Sequence, residues 1–198
     1  MKKISGKHSH RDLPQLDMLR RELKRELYKR RFRRLLRSTV DTLIVVAAVA
    51  ALIATLIFPV LQIAGTSMEP SLIDGDIVVL VKTDDLETGD LCAFYYSNKI
   101  LIKRIIGIPG DYLWINEDGT VILNGYELIE PYVSEKALGE CDLEFPYQVS
   151  ENYYFMMGDH RATSIDSRSS VIGCIAEDQI IGKIILKVWP LDGLAWMG

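Results

Sequence analysis

The run from Leu43 to Leu61, LIVVAAVAALIATLIFPVL, constrains this chain more than any other segment: it carries no charge, and only Thr55 and Pro59 interrupt it. Nineteen residues of helix would extend about 28 Å at ~1.5 Å per residue, close to the roughly 30 Å hydrocarbon core of a bilayer. The spacing predicts one transmembrane helix, and no second run of that length follows. A cleavable leader fits less well, because some forty residues precede the run and the exit Gln62-Ile63-Ala64 has no small residue three before a cut.

Charge is divided sharply around this run. Residues 1 to 38 hold 14 Lys/Arg against 4 Asp/Glu, whereas the remainder holds 9 against 23, so a net charge of −4 conceals a leader of +10 and a body of −14. A basic segment directly before an apolar run favours an acidic lipid surface over nucleic acid. Within residues 17 to 37, Leu19, Leu23, Leu27, Phe32 and Leu35 recur near helical spacing among Arg and Lys, which predicts a basic amphipathic helix running toward the anchor. Basic residues stay on the cytoplasmic side, so the expected plan is a cytoplasmic leader over 1–38, an anchor over 39–61 and a single extracytoplasmic domain over 62–198.

Beyond Leu61 the pattern changes to short β-type runs at 77–81, 91–96, 100–106, 112–115, 121–123, 153–157 and 180–188, separated by Gly-Asp pairs and by Asn124-Gly125. The outer domain is therefore expected to be mostly β. Residues 127–150, with Pro131, Pro146 and several Glu, predict an insertion or mobile loop. Cys92, Cys141 and Cys174 form no CxxC pair and have no His at zinc spacing, which gives no reason to expect a metal site and leaves a Cys141–Cys174 disulfide undecided.

Two residues offer chemistry. Ser67 stands in Gly65-Thr66-Ser67-Met68-Glu69-Pro70, about six residues and at most ~20 Å of extended chain past the anchor. Lys103 stands in the strand-like Ile100 to Gly107. A serine hydroxyl is a poor nucleophile until a base takes its proton, and the outer domain holds one histidine, His160, besides its lysines. A lysine with a pKa of about 10.4 must be desolvated to serve; lowering that by ~2 corresponds to roughly 3 kcal/mol, within reach of apolar neighbours such as Leu101 and Ile105 on its strand face. Gly65 allows close backbone approach, and the Ser67 amide can face a developing oxyanion. The turn alone is weak evidence, since it lacks the second glycine of a GxSxG elbow. The stretch Gly158 to Arg168, GDHRATSIDSR, is either a surface turn held by Asp–Arg pairs or a support for the pair.

Taken in order, GTSMEPSL at 65–72, GDIV at 75–78, KRIIGIPGD at 103–111 and GDHRATSIDSR at 158–168 resemble the bacterial type I signal peptidases, membrane-bound Ser/Lys serine peptidases that remove signal peptides from exported proteins. The resemblance covers about Thr42 to Leu191. It implies a mainly β fold, with antiparallel sheets in a partly barrel-like catalytic domain after the basic helix and the single anchor. It implies Ser67 as nucleophile, Lys103 as general base, Ser164 orienting the lysine amine, and Asp166 with Arg168 bracing the loop. Ile63, Met68, Leu72 and Ile102 match positions that line shallow pockets for small residues one and three before the cut, as in Ala-X-Ala. Gly65 stands where Gram-negative members carry a serine donor to the oxyanion, as in the compact Gram-positive subgroup, and His160 stands where the family usually has Asn.

The resemblance implies no metal or organic cofactor, a cell-membrane location, and signal peptides and membrane lipid as partners without nucleic acid. Three other readings remain: His160 as base in place of Lys103, a catalytically silent relative acting as an assembly factor for surface proteins, and a repressor-type Ser/Lys autoprotease. The last would need a DNA-binding domain, and the leader has no helix-turn-helix pattern.

Overall fold

The computed structural model describes residues 16–198, leaving the first fifteen residues of the expected leader outside the described part. The chain divides into two compact units, Met1–Ile53 and Ala54–Gly198.

Helix α1 runs unbroken over Leu16–Ile57, so the basic segment and the apolar run are one helix of 42 residues. At the junction, Thr39 Oγ1 donates to Leu35 O and Thr42 Oγ1 to Ser38 O, which satisfies the last hydroxyls before the apolar stretch within the helix itself. Every side chain from Met18 to Leu52 is exposed, and this is the one helix among the described residues long and apolar enough to cross a membrane. The helix stops at Ile57 rather than Leu61. Pro59 cannot continue the ladder and pushes Phe58 out of helical geometry. Val60 and Leu61, counted above with the anchor, instead form β1 (Val60–Gln62), antiparallel to β2 (Ile77–Val81).

The remaining strands are β3 (Leu91–Tyr96), β4 (Lys99–Gly107), β5 (Tyr112–Ile115), β6 (Val121–Leu123), β7 (Tyr126–Glu127), β8 (Tyr147–Gln148), β9 (Tyr153–Met157), β10 (Ile175–Ala176), β11 (Ile180–Trp189) and β12 (Ala195–Trp196). The larger sheet has the order β1-β2-β11-β3-β4-β9-β10 with β12 on β11; the smaller has the order β7-β6-β5-β8. All pairings are antiparallel, as expected for a mainly β domain, and the strand path of the large sheet is open rather than closed.

Alternation explains β2, where Val78 and Leu80 are fully buried between half-exposed neighbours. They join Ile63, Met68, Leu72, Leu91, Ala93 and Ile184 in one apolar cluster. A second cluster gathers Phe94, Ile105, Met156 and Ile175 around β3, β4 and β9, and a third packs Ile106, Phe155 and Met157 against Leu113, Ile115 and Val121 of the small sheet. Strand β4 therefore has core on both faces, which is why its sequence is almost continuously apolar.

The segment expected as an insertion or mobile loop has no regular structure between β7 and β8, yet it is tied down. Asp142 accepts bonds from Ser170 N and Oγ, Arg168 Nη1 donates to Leu138 O at 2.6 Å, and Glu130 pairs with Arg161. All three cysteines are free thiols.

Candidate active site

Ser67 is carried by the turn that follows β1. Gly65 enters it with φ of +97°, a conformation that L side chains avoid, and its N–H donates to Asp74 Oδ1 at 2.8 Å. Glu69 N to Thr66 O and Leu72 N to Met68 O then wind the chain into a tight coil that presents Ser67 at its start. Lys103 comes from mid-β4, opposite Cys92 of β3. The two side chains meet, with Lys103 Nζ 2.8 Å from Ser67 Oγ.

Lys103 is only 4 % exposed. Burial pulls its amine below the ordinary lysine value; the Asp166 carboxylate opposes this, the Arg168 guanidinium reinforces it, and Asp159 opposes it again. A neutral amine at this distance can accept the serine proton, and the Ser67 N–H has no acceptor among the described residues, leaving it free to face an oxyanion.

The Gly158–Arg168 stretch packs directly beneath. His160 N donates to Ser67 O, and a Cβ built on Gly158 would lie 2.5 Å from Ser67 O and 2.2 Å from Ser164 Oγ, so only glycine lets the two segments touch. Asp166 accepts from Gly158 N and pairs through both oxygens with Arg168, each side chain fully buried. Burial works against charging Asp166, but Arg168, together with the Gly158 N–H, outweighs it and holds the carboxyl below the usual range. Arg104, beside Lys103, forks onto Asp159, which also accepts from Ser71 Oγ.

Ser164 is 1 % exposed and its Oγ has no partner in hydrogen-bonding geometry, although it lies near enough to Asp166 to lower that carboxyl slightly. No Ser164 bond to Lys103 is formed in this structure. The His160 ring meets Thr163 Oγ1 through Nδ1 at 2.8 Å, whereas the partner of Ser67 Oγ is Lys103.

A cleft of about 230 Å³ runs past the pair, lined by Leu61, Gln62, Ile63, Ala64, Gly65, Ser67 and Met68 on one side and by Ile100, Leu101, Ile102 and Lys103 on the other. Of the expected pocket residues, Ile63, Met68 and Ile102 line it. Leu72 does not, because the coil turns its side chain inward to full burial. Gln62, Ile100 and Leu101 line it unexpectedly; they sit where β1, paired with β2, and the first half of β4, paired with β3, have no strand on their other side, which a local pattern cannot reveal. A larger recess of about 570 Å³, bordered by Lys82, Asp84, Asn152 and Glu177, contains neither member of the pair.

The pattern that defines the family described as "Signal peptidase, peptidase S26" matches residues 36–189. A signal peptidase I from Bacillus licheniformis is 35 % identical over 149 residues, covering 69 % of this chain and 79 % of the relative. A signal peptidase IB from Staphylococcus aureus is 34 % identical over 151 residues, covering 66 % and 77 %. The solved structure of a signal peptidase I from Enterococcus faecalis V583 aligns over 52 % of this chain and 98 % of its own at 25 % identity, with a TM-score of 0.42. With the match spanning most of the chain and two relatives above 30 % identity, the chain belongs to the signal peptidase family of serine peptidases, peptidase S26.

Proposed function

We propose that this chain removes N-terminal signal peptides from exported preproteins with Ser67 as nucleophile and Lys103 as its base. The observation that carries the reading is the 2.8 Å contact between a buried, desolvated amine and the hydroxyl at the head of an apolar cleft. Ser67 Oγ attacks the scissile carbonyl as its proton passes to Lys103 Nζ, and the tetrahedral oxygen forms against the Ser67 N–H. The lysinium then protonates the departing amine. A water, deprotonated by the same lysine, hydrolyses the acyl-enzyme.

The cleft supports the substrate assignment. An extended peptide entering it would find unpaired backbone of β1 on one side and of β4 on the other, giving main-chain recognition with little demand on sequence. Ile63, Met68 and Ile102 leave room for small side chains, which fits cutting after Ala-X-Ala. Helix α1 anchors the chain in the cell membrane as a single pass, with its Arg/Lys-rich first half cytoplasmic against anionic headgroups and the β domain outside. Asp166 and Arg168 brace the loop, and Ser164 orients the amine once the lysine is protonated.

The deciding experiment is cleavage of a preprotein by the purified full-length chain in detergent, with the cut site read by mass spectrometry. Wild type is expected to cut after Ala-X-Ala, and both Ser67→Ala and Lys103→Ala to lose cleavage. Substantial cutting by Lys103→Ala would transfer the base role to His160, and binding without cutting by wild type would favour a silent assembly factor.

A further inference from the structure

Glu130 belongs to none of the motifs above, and it comes from the irregular stretch between β7 and β8. Its carboxylate is fully buried, with both oxygens taken by Arg161: Nη1 donates to Oε2 at 3.0 Å and Nη2 to Oε1. Arg161 in turn donates through Nε to Gly158 O at 3.1 Å. Gly158 is the residue whose backbone lies against the Ser67 carbonyl, and the next residue but one, His160, donates to that same oxygen. A continuous set of contacts thus leads from Glu130 through Arg161 and Gly158 to the main chain of the nucleophile.

Tyr132, two residues on, reaches the other member of the pair. Its ring lies 3.9 Å beneath the Arg104 guanidinium, and Arg104 follows Lys103 in β4. Burial and then the Glu130 carboxylate push the phenol well above its ordinary range, so it remains protonated and donates to Glu130 Oε1 at 3.1 Å. Arg104 closes the circuit by forking onto Asp159. Residues 130–132 therefore hold the loop under Ser67 with one side chain and the strand bearing Lys103 with another.

We propose that Glu130 and Tyr132 are positioning residues for the Ser67–Lys103 reaction, clamping the two segments so that amine and hydroxyl stay at bonding distance. The proposal rests on the reading of Ser67 and Lys103 as the reacting pair. Neither residue lines the cleft, so the clamp acts on turnover and not on substrate capture. A guanidinium that has lost its buried carboxylate is left uncompensated, and the two carboxylates on its own loop, Asp159 and Asp166, are already engaged by Arg104 and Arg168.

The test is steady-state cleavage of a signal-peptide-bearing preprotein by the full-length chain in detergent, for Glu130→Gln, Arg161→Lys and the double variant, normalised to the folded fraction from thermal melts. We expect Glu130→Gln and Arg161→Lys each to lower kcat at least tenfold with KM within twofold of wild type, and the double variant to be no more than twofold below the worse single, since both cut the same connection. A kcat for folded Glu130→Gln within twofold of wild type would overturn the proposal, as would losses that multiply in the double variant. Should Glu130→Gln not fold, Tyr132→Phe removes only the hydroxyl donated to Glu130; it is expected to lower kcat about three- to tenfold at unchanged KM, and an unchanged kcat would overturn the clamp. Lys103→Ala, assayed alongside, reports separately on the underlying reading, because cleavage by that variant rejects the dyad whatever Glu130 does.

Discussion

The amine of Lys103 rests 2.8 Å from the hydroxyl of Ser67, although the two residues are 36 positions apart and belong to different segments, the turn after β1 and the middle of β4. What makes the contact chemically useful is that burial drives the amine below the ordinary 10.5 of a lysine. Only the neutral form can take the serine proton, so under the proposed mechanism activity is expected to depend on that displacement as much as on the distance.

Activity should therefore rise with pH as Lys103 loses its proton, and level off above an inflection below 10.5. Lys103→Arg keeps the charge but cannot deprotonate, so it is expected to lose at least ~10³-fold in kcat/KM, matching Lys103→Ala. Initial rates across pH 6 to 11 check both statements. An inflection at or above the free-lysine value, or an active Lys103→Arg, would exclude the lysine as base.

The same burial costs the fold stability. The folded state binds the Lys103 proton less tightly than the unfolded chain, so stability rises with pH between the folded pKa and 10.5, and the deficit is largest below the folded value. Lys103→Met should accordingly stabilise the inactive domain near neutral pH by about 1–2 kcal/mol, or roughly 2–8 °C in melting temperature, with the gain shrinking as pH approaches 10.5. Paired melts of wild type and variant at pH 6, 8 and 10 measure it; equal melting temperatures throughout would mean the amine is not desolvated.

The strands most visible in the sequence are those with enough residues for alternation or a continuous apolar run to register. Runs at 77–81, 91–96, 112–115, 121–123 and 153–157 match β2, β3, β5, β6 and β9 to the residue, and Asn124-Gly125, both at positive φ, turns β6 into β7 as its type demands. Strands β7, β8, β10 and β12 are two residues long, too short for any period, and β1, three residues like β6, is hidden because Val60 and Leu61 continue the apolar run of the helix, whereas the all-apolar β6 runs straight into Asn124-Gly125; the five hidden strands exist because an edge is there to pair with. The meeting of Ser67 with Lys103 was legible through ordered motifs. Glu130 was not: among neighbouring acids in a Pro-containing stretch it has the local signature of a solvated residue, and its burial is decided by an arginine 31 positions away. Leu72 shows the reverse error, since its pattern shared a pocket assignment with Met68 but the turn between them sends it into the core.

Asp166 and Arg168 form a fully buried pair with two bonds between them, and Arg168 also donates to Leu138 O and Arg161 O. Asp166→Asn would leave that guanidinium charged and uncompensated, at an expected cost of about 3–5 kcal/mol in urea unfolding. Because the native carboxyl titrates below its free value, the pair's contribution is fully present above the ordinary aspartate range of about 3.8 and is lost as pH falls through the lower folded value. Wild type and Asp166→Asn should therefore differ most at neutral pH and converge toward pH 2.

Gly158 tests the contact beneath Ser67 without touching a charge. A methyl there would sit 2.5 Å from Ser67 O and 2.2 Å from Ser164 Oγ, inside any real carbon contact, and the nearer group to the main chain is a backbone oxygen that cannot rotate away. Gly158→Ala must therefore displace the Ser67 turn or the Gly158–Arg168 loop, at an expected ~1–3 kcal/mol in stability. A shift of a few tenths of an ångström matters more to proton transfer than to folding, so kcat should fall at least ~10²-fold while the variant still melts cooperatively. Ser164→Ala makes the contrast, because its Oγ has no bonding partner to lose: the fold should change by less than ~1 kcal/mol, whereas turnover should drop about tenfold or more if that hydroxyl steadies the lysinium. Melting and turnover of the two variants, measured together, separate steric displacement of the Ser67 turn from loss of a hydroxyl that, on the proposed mechanism, acts only during the reaction.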